Sequence, residues 1–145
     1  MAVEIQKFVN EFYSSNTYLI SIGTENLFVY LIDIGNVKAV LSSLKSHQEV
    51  KAIFLTHPHY DHICGIHELI STFPNCLIYC SPYTKLALAD SKINLSFYHG
   101  TPIAYEGSNV LSICESDRIH LFKGVTLKIL ETPGHNKGSL SFIVE

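Results

Sequence analysis

The 145-residue sequence has no excess of positive charge, no long apolar run and no signal segment. Ten basic and thirteen acidic residues give a net charge of −3, which offers no electrostatic basis for binding nucleic acid. No apolar stretch reaches the roughly 18 residues that a membrane-spanning helix needs. The N-terminus also lacks the basic region and apolar core of a secretory signal. We therefore expect a cytoplasmic protein that binds neither nucleic acid nor a membrane.

None of the four cysteines forms a C-x-x-C pair. A chain of this size does not need disulfides, so we expect the thiols to be reduced, as in a cytosol. Cys76 and Cys80 lie on one face of a predicted strand, and we expect both to pack in the core. Cys64 closely follows His62 and is also interpreted as a packing residue.

Apolar residues make up 47% of the sequence and charged residues 16%, which favours one folded domain over residues 1–145. Strand and helix patterns alternate in the first part of the chain, which is typical of an α/β fold. Predicted strands cover residues 18–22, 27–32, 52–55, 76–80, 118–122, 125–130 and 139–144, and predicted helices cover residues 37–44, 61–73 and 82–88. The periodicity is lost at residues 91–109, and this long loop with its aromatic residues is predicted to be a lid or a packed cover.

Ligand-type side chains are concentrated at residues 56–62, Thr-His-Pro-His-Tyr-Asp-His, directly after the predicted strand 52–55. The carboxyl ends of strands are where α/β folds carry their sites. His57 and His59 are two positions apart, so on an extended segment they point the same way and can reach one ion. Asp61 and His62 follow as the chain turns into a helix, aimed at a neighbouring position. Because imidazole and carboxylate groups suit zinc and related divalent metals, this segment predicts a metal site.

A zinc ion that keeps a water molecule as its fourth ligand needs a third protein ligand. His135 is the candidate, because it follows a second predicted strand in a Pro-Gly loop. Ligands at strand ends with one open position are what metal-assisted hydrolysis requires. Other histidines have no ligand neighbours and are interpreted as ordinary surface or core residues: His47, His67, His99 and His120.

With H-x-H-x-D-H at 57–62 and T-P-G-H-x-x-G-S at 132–139, the chain resembles the metallo-β-lactamase-fold hydrolases, especially the small glyoxalase II-like branch. N-x-Y at 16–18, I-D-I-G at 32–35 and N-L-S at 94–96 also have counterparts there, so the resemblance covers nearly the whole chain. It implies an α/β fold of the αβ/βα sandwich type that binds two metal ions, usually zinc and in some members iron or manganese.

The resemblance also implies roles for individual residues. Three histidines would hold the first ion and an aspartate–histidine pair the second: His57, His59 and His135 for one, Asp61 and His62 for the other. Asp61 would also steer protons as a catalytic residue, and Asp33 would be a structural residue near the site. The implied reaction is hydrolysis of an ester, thioester, amide or phosphoester of a small molecule by a metal-bound hydroxide.

The chain departs from the family pattern after its last predicted strand. Family members continue with a Gly-Asp segment, whose aspartate bridges both metals, and with a later histidine for the second ion; neither is present here. We therefore expect residues 1–145 to form the N-terminal half to two-thirds of a sandwich, with a complete first zinc site and an incomplete second site. Because such a part exposes an apolar sheet face, a homo-oligomer or a partner chain is expected to complete it.

The sequence leaves two alternative functions open. One is a mononuclear iron oxidoreductase resembling the persulfide dioxygenases, which share this fold and part of the motif. It predicts bound iron and oxygen uptake with a persulfide. The other is a non-catalytic, truncated metal-binding chain, which predicts bound metal without turnover and a concentration-dependent oligomer. A nuclease is disfavoured by the net charge of −3.

Overall fold

The computed structural model describes residues 2–145. The strands are β1 (Val3–Val9), β2 (Asn16–Ile22), β3 (Phe28–Ile32), β4 (Glu49–Phe54), β5 (Leu77–Cys80), β6 (Val110–Ser112), β7 (Arg118–Phe122), β8 (Val125–Glu131) and β9 (Leu140–Val144). The α-helices are α1 (Val37–Ser43), α2 (Tyr60–Ile63), α3 (Ile66–Thr72) and α4 (Pro82–Leu88), and a 3-10 helix covers Ser96–His99. Among these described residues, no helix combines the length and the apolar composition needed to cross a membrane.

The strands form two sheets. The larger has the order β1-β2-β3-β4-β5-β6, and the smaller has the order β7-β8-β9. Strand β2 is antiparallel to both of its neighbours, β1 and β3, whereas β3 to β6 run parallel, as expected for strands joined through helices. The smaller sheet is antiparallel throughout. The parallel strands β3 and β4 therefore end at the same edge, where the chain presents Asp33 and residues 56–62.

Each face of the larger sheet has its own apolar core. The helices pack on one face, and the smaller sheet packs on the other. Strand β3 and the second half of β4, residues 52–54, are covered on both sides, which explains the continuous apolar sequence of these segments. In β8, buried Val125, Leu127 and Ile129 alternate with more exposed residues, as the sequence predicts. The α/β fold is thus confirmed, and within residues 2–145 it consists of a helix layer, a larger sheet and a smaller sheet.

The smaller sheet covers only part of the larger one. In the smaller sheet β9 is an edge strand, and residues of β1 and β2 lie beside it. The apolar groove left between them is lined by Ile5, Tyr18, Ile20, Phe142 and Val144, among others. Ile5 is 56% exposed there. The sandwich is therefore open beside β9.

Two strands, β1 and β6, are not predicted from the sequence. Five of the seven residues of β1 are exposed, so the strand lacks the buried apolar side chains on which the other strands were predicted. Strand β6 has three residues. Both strands owe their conformation mainly to backbone pairing, β1 with β2 and β6 with β5. Such pairing is a long-range property that a local pattern does not reveal.

The single helix expected over residues 61–73 is wrong, because α2 and α3 are separate helices. The carbonyl oxygen of His62 accepts a hydrogen bond from the Ile34 N–H (2.9 Å), and the Gly65 N–H donates to the Ile34 carbonyl (3.0 Å). These bonds to the segment after β3 replace helical bonds. Gly65 is needed here, since a Cβ would lie 2.3 Å from Cγ2 of Val37. The break fixes the distance between the motif histidines and Asp33.

Buried polar side chains tie residues 91–109 to the end of α4. Asn94 Nδ2 donates to the carbonyl oxygens of Ala87 (3.1 Å) and Ile103 (2.9 Å). Ser96 Oγ accepts from the Ile103 N–H at 2.7 Å. Both polar side chains are fully buried. The segment is therefore packed on the domain, and its action as a lid stays a prediction.

Candidate metal centre

Three histidines meet at the edge where β3 and β4 end. His57 and His59 follow β4, and His59 is the residue before α2. His135 comes from the loop between β8 and β9. This loop is held against the end of β4, because the Leu140 N–H donates to the Thr56 carbonyl oxygen at 2.8 Å. As a result, one ring nitrogen of each histidine lies within 4.8 Å of those of the other two.

The three imidazole rings surround a common point. Their centroids are 4.8 Å (His57–His59), 5.0 Å (His57–His135) and 4.9 Å (His59–His135) apart, and the rings are close to perpendicular. Nδ1 of His59 lies 3.1 Å from Nε2 of His135. If both nitrogens lacked a proton, their lone pairs would repel each other at this distance. A proton or a cation shared between the two nitrogens is therefore favourable. Three convergent imidazole nitrogens are a donor set that fits a divalent metal such as zinc.

Asp33 is bonded to the segment 56–62 through three hydrogen bonds of 2.7 Å each. Its Oδ1 accepts the Thr56 N–H, and its Oδ2 accepts both the Thr56 hydroxyl and Nδ1–H of His62. The residue is only 2% exposed. Its φ of 58° lies in the left-handed region, which aspartate tolerates better than most residues. Asp33 is therefore structural, as the family resemblance implies, and it connects β3 to the histidine segment.

This network selects the ring nitrogen that each histidine presents. Because the Thr56 hydroxyl donates to Asp33, its oxygen accepts from Nδ1–H of His57, 2.9 Å away. His62 also uses Nδ1 for its bond to Asp33. Nε2 is thus the free nitrogen of His57, whereas Nε2 of His62 faces Oδ2 of Asp61 at 3.4 Å. A hydrogen bond to the non-ligating nitrogen is the usual way in which proteins orient a metal-binding imidazole.

The surroundings shift the pKa values of the histidines in different directions. Burial, together with the neighbouring His62, His59 and His135, lowers the pKa of His57 to about 3. Burial and the nearby His135 lower the pKa of His59. Burial also acts to lower the pKa of His62, but the hydrogen bond and charge of Asp33 outweigh it and raise the pKa. His57 and His59 are therefore neutral at pH 7, the state in which imidazole binds a metal.

His62 and Asp61 lie beside the three-histidine group. The His62 ring centroid is 4.1 Å from that of His57, and its Nε2 is 3.4 Å from Oδ2 of Asp61. Asp61 is in the first turn of α2, and its carbonyl oxygen accepts a hydrogen bond from the Ser15 hydroxyl at 2.8 Å. Within residues 2–145, neither side chain joins the group that can hold one ion with His57. Their role as ligands of a second ion stays a prediction.

The remaining histidines of the described chain have other contacts. The His99 ring stacks on Tyr60 with a centroid distance of 4.6 Å, and its Nδ1 lies 3.1 Å from the Tyr13 hydroxyl. Nδ1 of His120 pairs with the Thr126 hydroxyl at 3.2 Å. Neither these two histidines nor the remaining pair belongs to the three-histidine group: His47 and His67.

Two residues that contact the motif histidines are not predicted from the sequence. Thr56 links Asp33 to His57, and the carboxamide nitrogen of Asn136 lies 3.4 Å from Nε2 of His59. Each is next to a ligand in the sequence, and each carries a short polar side chain. That adjacency is the available signal, but it does not show which histidine the side chain reaches. Asn136 follows His135 yet contacts His59.

The sequence is similar to the metallo-beta-lactamase superfamily and to two curated hydrolases over most of its length. The profile of the metallo-beta-lactamase superfamily matches residues 11–145. A hydroxyacylglutathione hydrolase of Erwinia tasmaniensis is 28% identical over 128 residues, which are 88% of this chain and 43% of that protein. A probable metallo-hydrolase of Streptococcus pyogenes serotype M6 is 30% identical over 145 residues, covering 97% of this chain and 61% of the relative.

The fold is similar as well. The crystal structure of the B3 metallo-beta-lactamase BLEG-1 matches with a TM-score of 0.78 and 25% identity, over 96% of this chain and 66% of that chain.

The chain spans between 43% and 61% of the length of the two curated relatives. Since the family profile covers nearly the whole chain, and the fold and histidine motifs agree with it, this protein belongs to the metallo-beta-lactamase superfamily.

Proposed function

We propose that this chain carries the metal-binding part of a hydrolase that cleaves an ester, thioester or related bond of a small molecule. The observation that carries the proposal is the convergence of His57, His59 and His135 at the strand ends. The similarity to a hydroxyacylglutathione hydrolase favours a thioester substrate. The similarity to a probable metallo-hydrolase supports the same type of reaction.

Zinc is the ion proposed for the three-histidine position, with iron or manganese as alternatives. Imidazole nitrogen suits zinc and iron, whereas manganese prefers oxygen ligands. A bound divalent ion would supply Lewis acidity and a lowered pKa for water, which is the chemistry that hydrolysis needs. The chain prepares the position in two ways. His57 and His59 are neutral at pH 7, and Thr56 leaves Nε2 of His57 free to bind.

Asp61 is the proposed catalytic residue. Its side chain is 20% exposed and lies beside the histidine group, so it can exchange protons with substrate and solvent. The hydrogen bond from Ser15 fixes its backbone. We also propose Asp61 and His62 as ligands of a second ion. That ion would bind more weakly, because two side chains offer fewer ligands than the three-histidine position.

We further propose that additional protein, from a second copy or a partner chain, covers the groove beside β9 in the active form. Apolar residues of β1, β2 and β9 line this groove. The chain also spans less than two-thirds of the curated relatives that it matches. A covered groove would remove apolar surface from water and pair the free edge of β9.

The test is a hydrolysis assay of the zinc-loaded chain with a hydroxyacylglutathione and with an activated aryl ester. We expect turnover that His59→Ala abolishes and His120→Ala leaves unchanged. Asp61→Asn should lower kcat by about 10²-fold while zinc stays at the three-histidine position. Bound zinc without turnover, in the monomer and in any oligomer that the chain forms, would contradict a hydrolase built from this chain alone and support the non-catalytic alternative. Bound iron with oxygen uptake on a persulfide would support the oxidoreductase.

A further inference from the structure

The nitrogen that a histidine offers to a metal depends on what its other ring nitrogen contacts. For His57 this contact is the Thr56 hydroxyl, and for His62 it is the Asp33 carboxylate. His59 is not bonded to either residue. Its Nδ1 faces Nε2 of His135 at 3.1 Å, so its Nε2 is the nitrogen on the outer side.

The carboxamide of Asn136 contacts this outer nitrogen. Its Nδ2 lies 3.4 Å from Nε2 of His59. The contact joins the two loops that supply the histidines, because Asn136 lies in the loop after β8 and His59 lies after β4. Asn136 is thus placed to contact the outer nitrogen of His59, as Thr56 contacts Nδ1 of His57, but with the opposite polarity: Nδ2 of Asn136 can only donate, whereas the Thr56 hydroxyl accepts.

The backbone turn that carries Asn136 is held in place, and the carboxamide oxygen has one partner. Its Oδ1 accepts the Gly138 N–H at 2.8 Å. Its backbone carbonyl accepts the N–H groups of Gly134 (3.4 Å) and Ser139 (3.3 Å). Gly138 packs closely against the start of α4, where a Cβ would lie only 2.6 Å from the Ser81 hydroxyl oxygen. The turn that carries the carboxamide is therefore anchored to the helix layer.

We propose that Asn136 is a positioning residue for the metal ligand His59, a role that rests on the proposed function. Its carboxamide holds the ring so that Nδ1 faces His57 and His135. When Nδ1 is a ligand, the ring proton is on Nε2 and needs an acceptor. A half-turn of the carboxamide brings Oδ1 to this proton and releases the Gly138 N–H. Loss of the hydrogen bond from the Gly138 N–H would therefore indicate that Oδ1 of Asn136 has turned toward Nε2–H of His59.

The matched variants separate this role from a role in shaping the turn. Serine in Asn136→Ser can still accept the Gly138 N–H, but it is too short to reach His59. The carboxylate in Asn136→Asp has two acceptor oxygens and can serve the Gly138 and His59 donors together. Lys137→Ala changes the neighbouring exposed residue and is the control.

Zinc affinity is measured by competition with a chromophoric chelator. We expect Asn136→Ser to raise the Kd about tenfold. Asn136→Asp should bind as tightly as the wild type or more tightly, and Lys137→Ala should bind like the wild type. Nitrogen-15 NMR of the zinc-loaded chain gives an independent measurement. In Asn136→Ser the Nε2–H signal of His59 should exchange faster with water, while the Nδ1–H signal of His57 stays unchanged.

An Asn136→Ser variant with a wild-type Kd and an unchanged His59 signal would overturn the inference, and would leave Asn136 with a role in the turn alone. Equal losses in Asn136→Ser and Asn136→Asp would overturn it as well. A wild-type chain that takes up no zinc would contradict the proposed function, and this inference with it. The first two outcomes leave the proposed function intact, so the two failures are distinguishable.

Discussion

The two segments that supply the histidines are built differently. The segment after β4 is buried and bonded to Asp33, and His57 is only 9% exposed. The loop between β8 and β9 is largely exposed, and so is His135. One segment belongs to the larger sheet and the other to the smaller. The three-histidine group therefore forms only where the two sheets dock, and a bound metal would link them.

Because the two segments differ in burial, substitutions in one should change the stability of the fold, and substitutions in the other should change metal binding. The Asp33 network belongs to the fold of the larger sheet, so a change there should destabilise the protein. His135 contributes a donor atom at the surface, so a change there should affect metal binding and leave the fold intact.

The largest effect on stability is expected at Asp33. Asp33→Ala leaves three partly buried donors without their buried acceptor and places alanine at a φ of 58°, so the free energy of unfolding should fall by about 3–5 kcal/mol. Asp33→Asn keeps an acceptor and tolerates the backbone conformation, so its loss should be smaller. Urea denaturation measures both variants. A loss below about 1 kcal/mol for Asp33→Ala would show that the network is not important for the fold.

The next effect concerns His135 and depends on zinc. Without metal, His135→Ala should change the free energy of unfolding by less than about 0.5 kcal/mol, because the side chain is exposed. With zinc at 100 times its Kd, the wild type should gain about 2.7 kcal/mol, and the variant should lose this gain. Urea denaturation with and without zinc measures the difference. Equal stabilisation of both proteins by zinc would mean that the metal does not link the two sheets through His135.

The effect that is smallest at neutral pH, and that grows only in alkaline solution, concerns the buried thiols at β5. Burial raises the pKa values of Cys76 and Cys80 to about 12 from a reference of 9.0. Above pH 9 the unfolded chain loses these protons while the folded chain keeps them. Stability should therefore be complete below pH 9 and fall as the pH rises toward 12, by up to about 1.4 kcal/mol per pH unit for each thiol.

The slope of the unfolding free energy against pH tests this expectation. Cys76→Ala and Cys80→Ala should each flatten the slope, whatever their effect at neutral pH. Cys114→Ser should not change it, because Cys114 is exposed and lies outside the larger sheet. An identical alkaline slope in all four proteins would show that the buried thiols ionise as easily in the folded state as in the unfolded one.

Much of the fold was predictable because the larger sheet has strong local signals. The apolar runs at 27–32 and 76–80 correspond to β3 and β5, and Ser81 caps α4 by accepting the Thr84 N–H at 3.1 Å. Strand β1 could not be predicted, because pairing with β2 forms it and most of its side chains are exposed. The break between α2 and α3 depends on bonds to Ile34, far away in the sequence.

The candidate site, like the fold, was predictable only in the part that has a local sequence signal. The spacing of His57, His59 and His135 predicts a common site, and the structure brings their nitrogens within 4.8 Å. The orientation of the rings could not be predicted. It depends on Asp33 acting through Thr56, and on Asn136 reaching across to His59. These contacts join segments that are distant in the sequence, so only the folded chain reveals them.

Metal content tests the central claim most directly. The purified chain is loaded with zinc, freed of weakly bound ions by gel filtration and analysed for metal, next to His59→Ala and His120→Ala. We predict about one tightly bound zinc ion per chain for the wild type and for His120→Ala, and none for His59→Ala. Equal zinc in the two variants, or a wild-type chain that stays free of metal, would contradict a metal centre built by His57, His59 and His135.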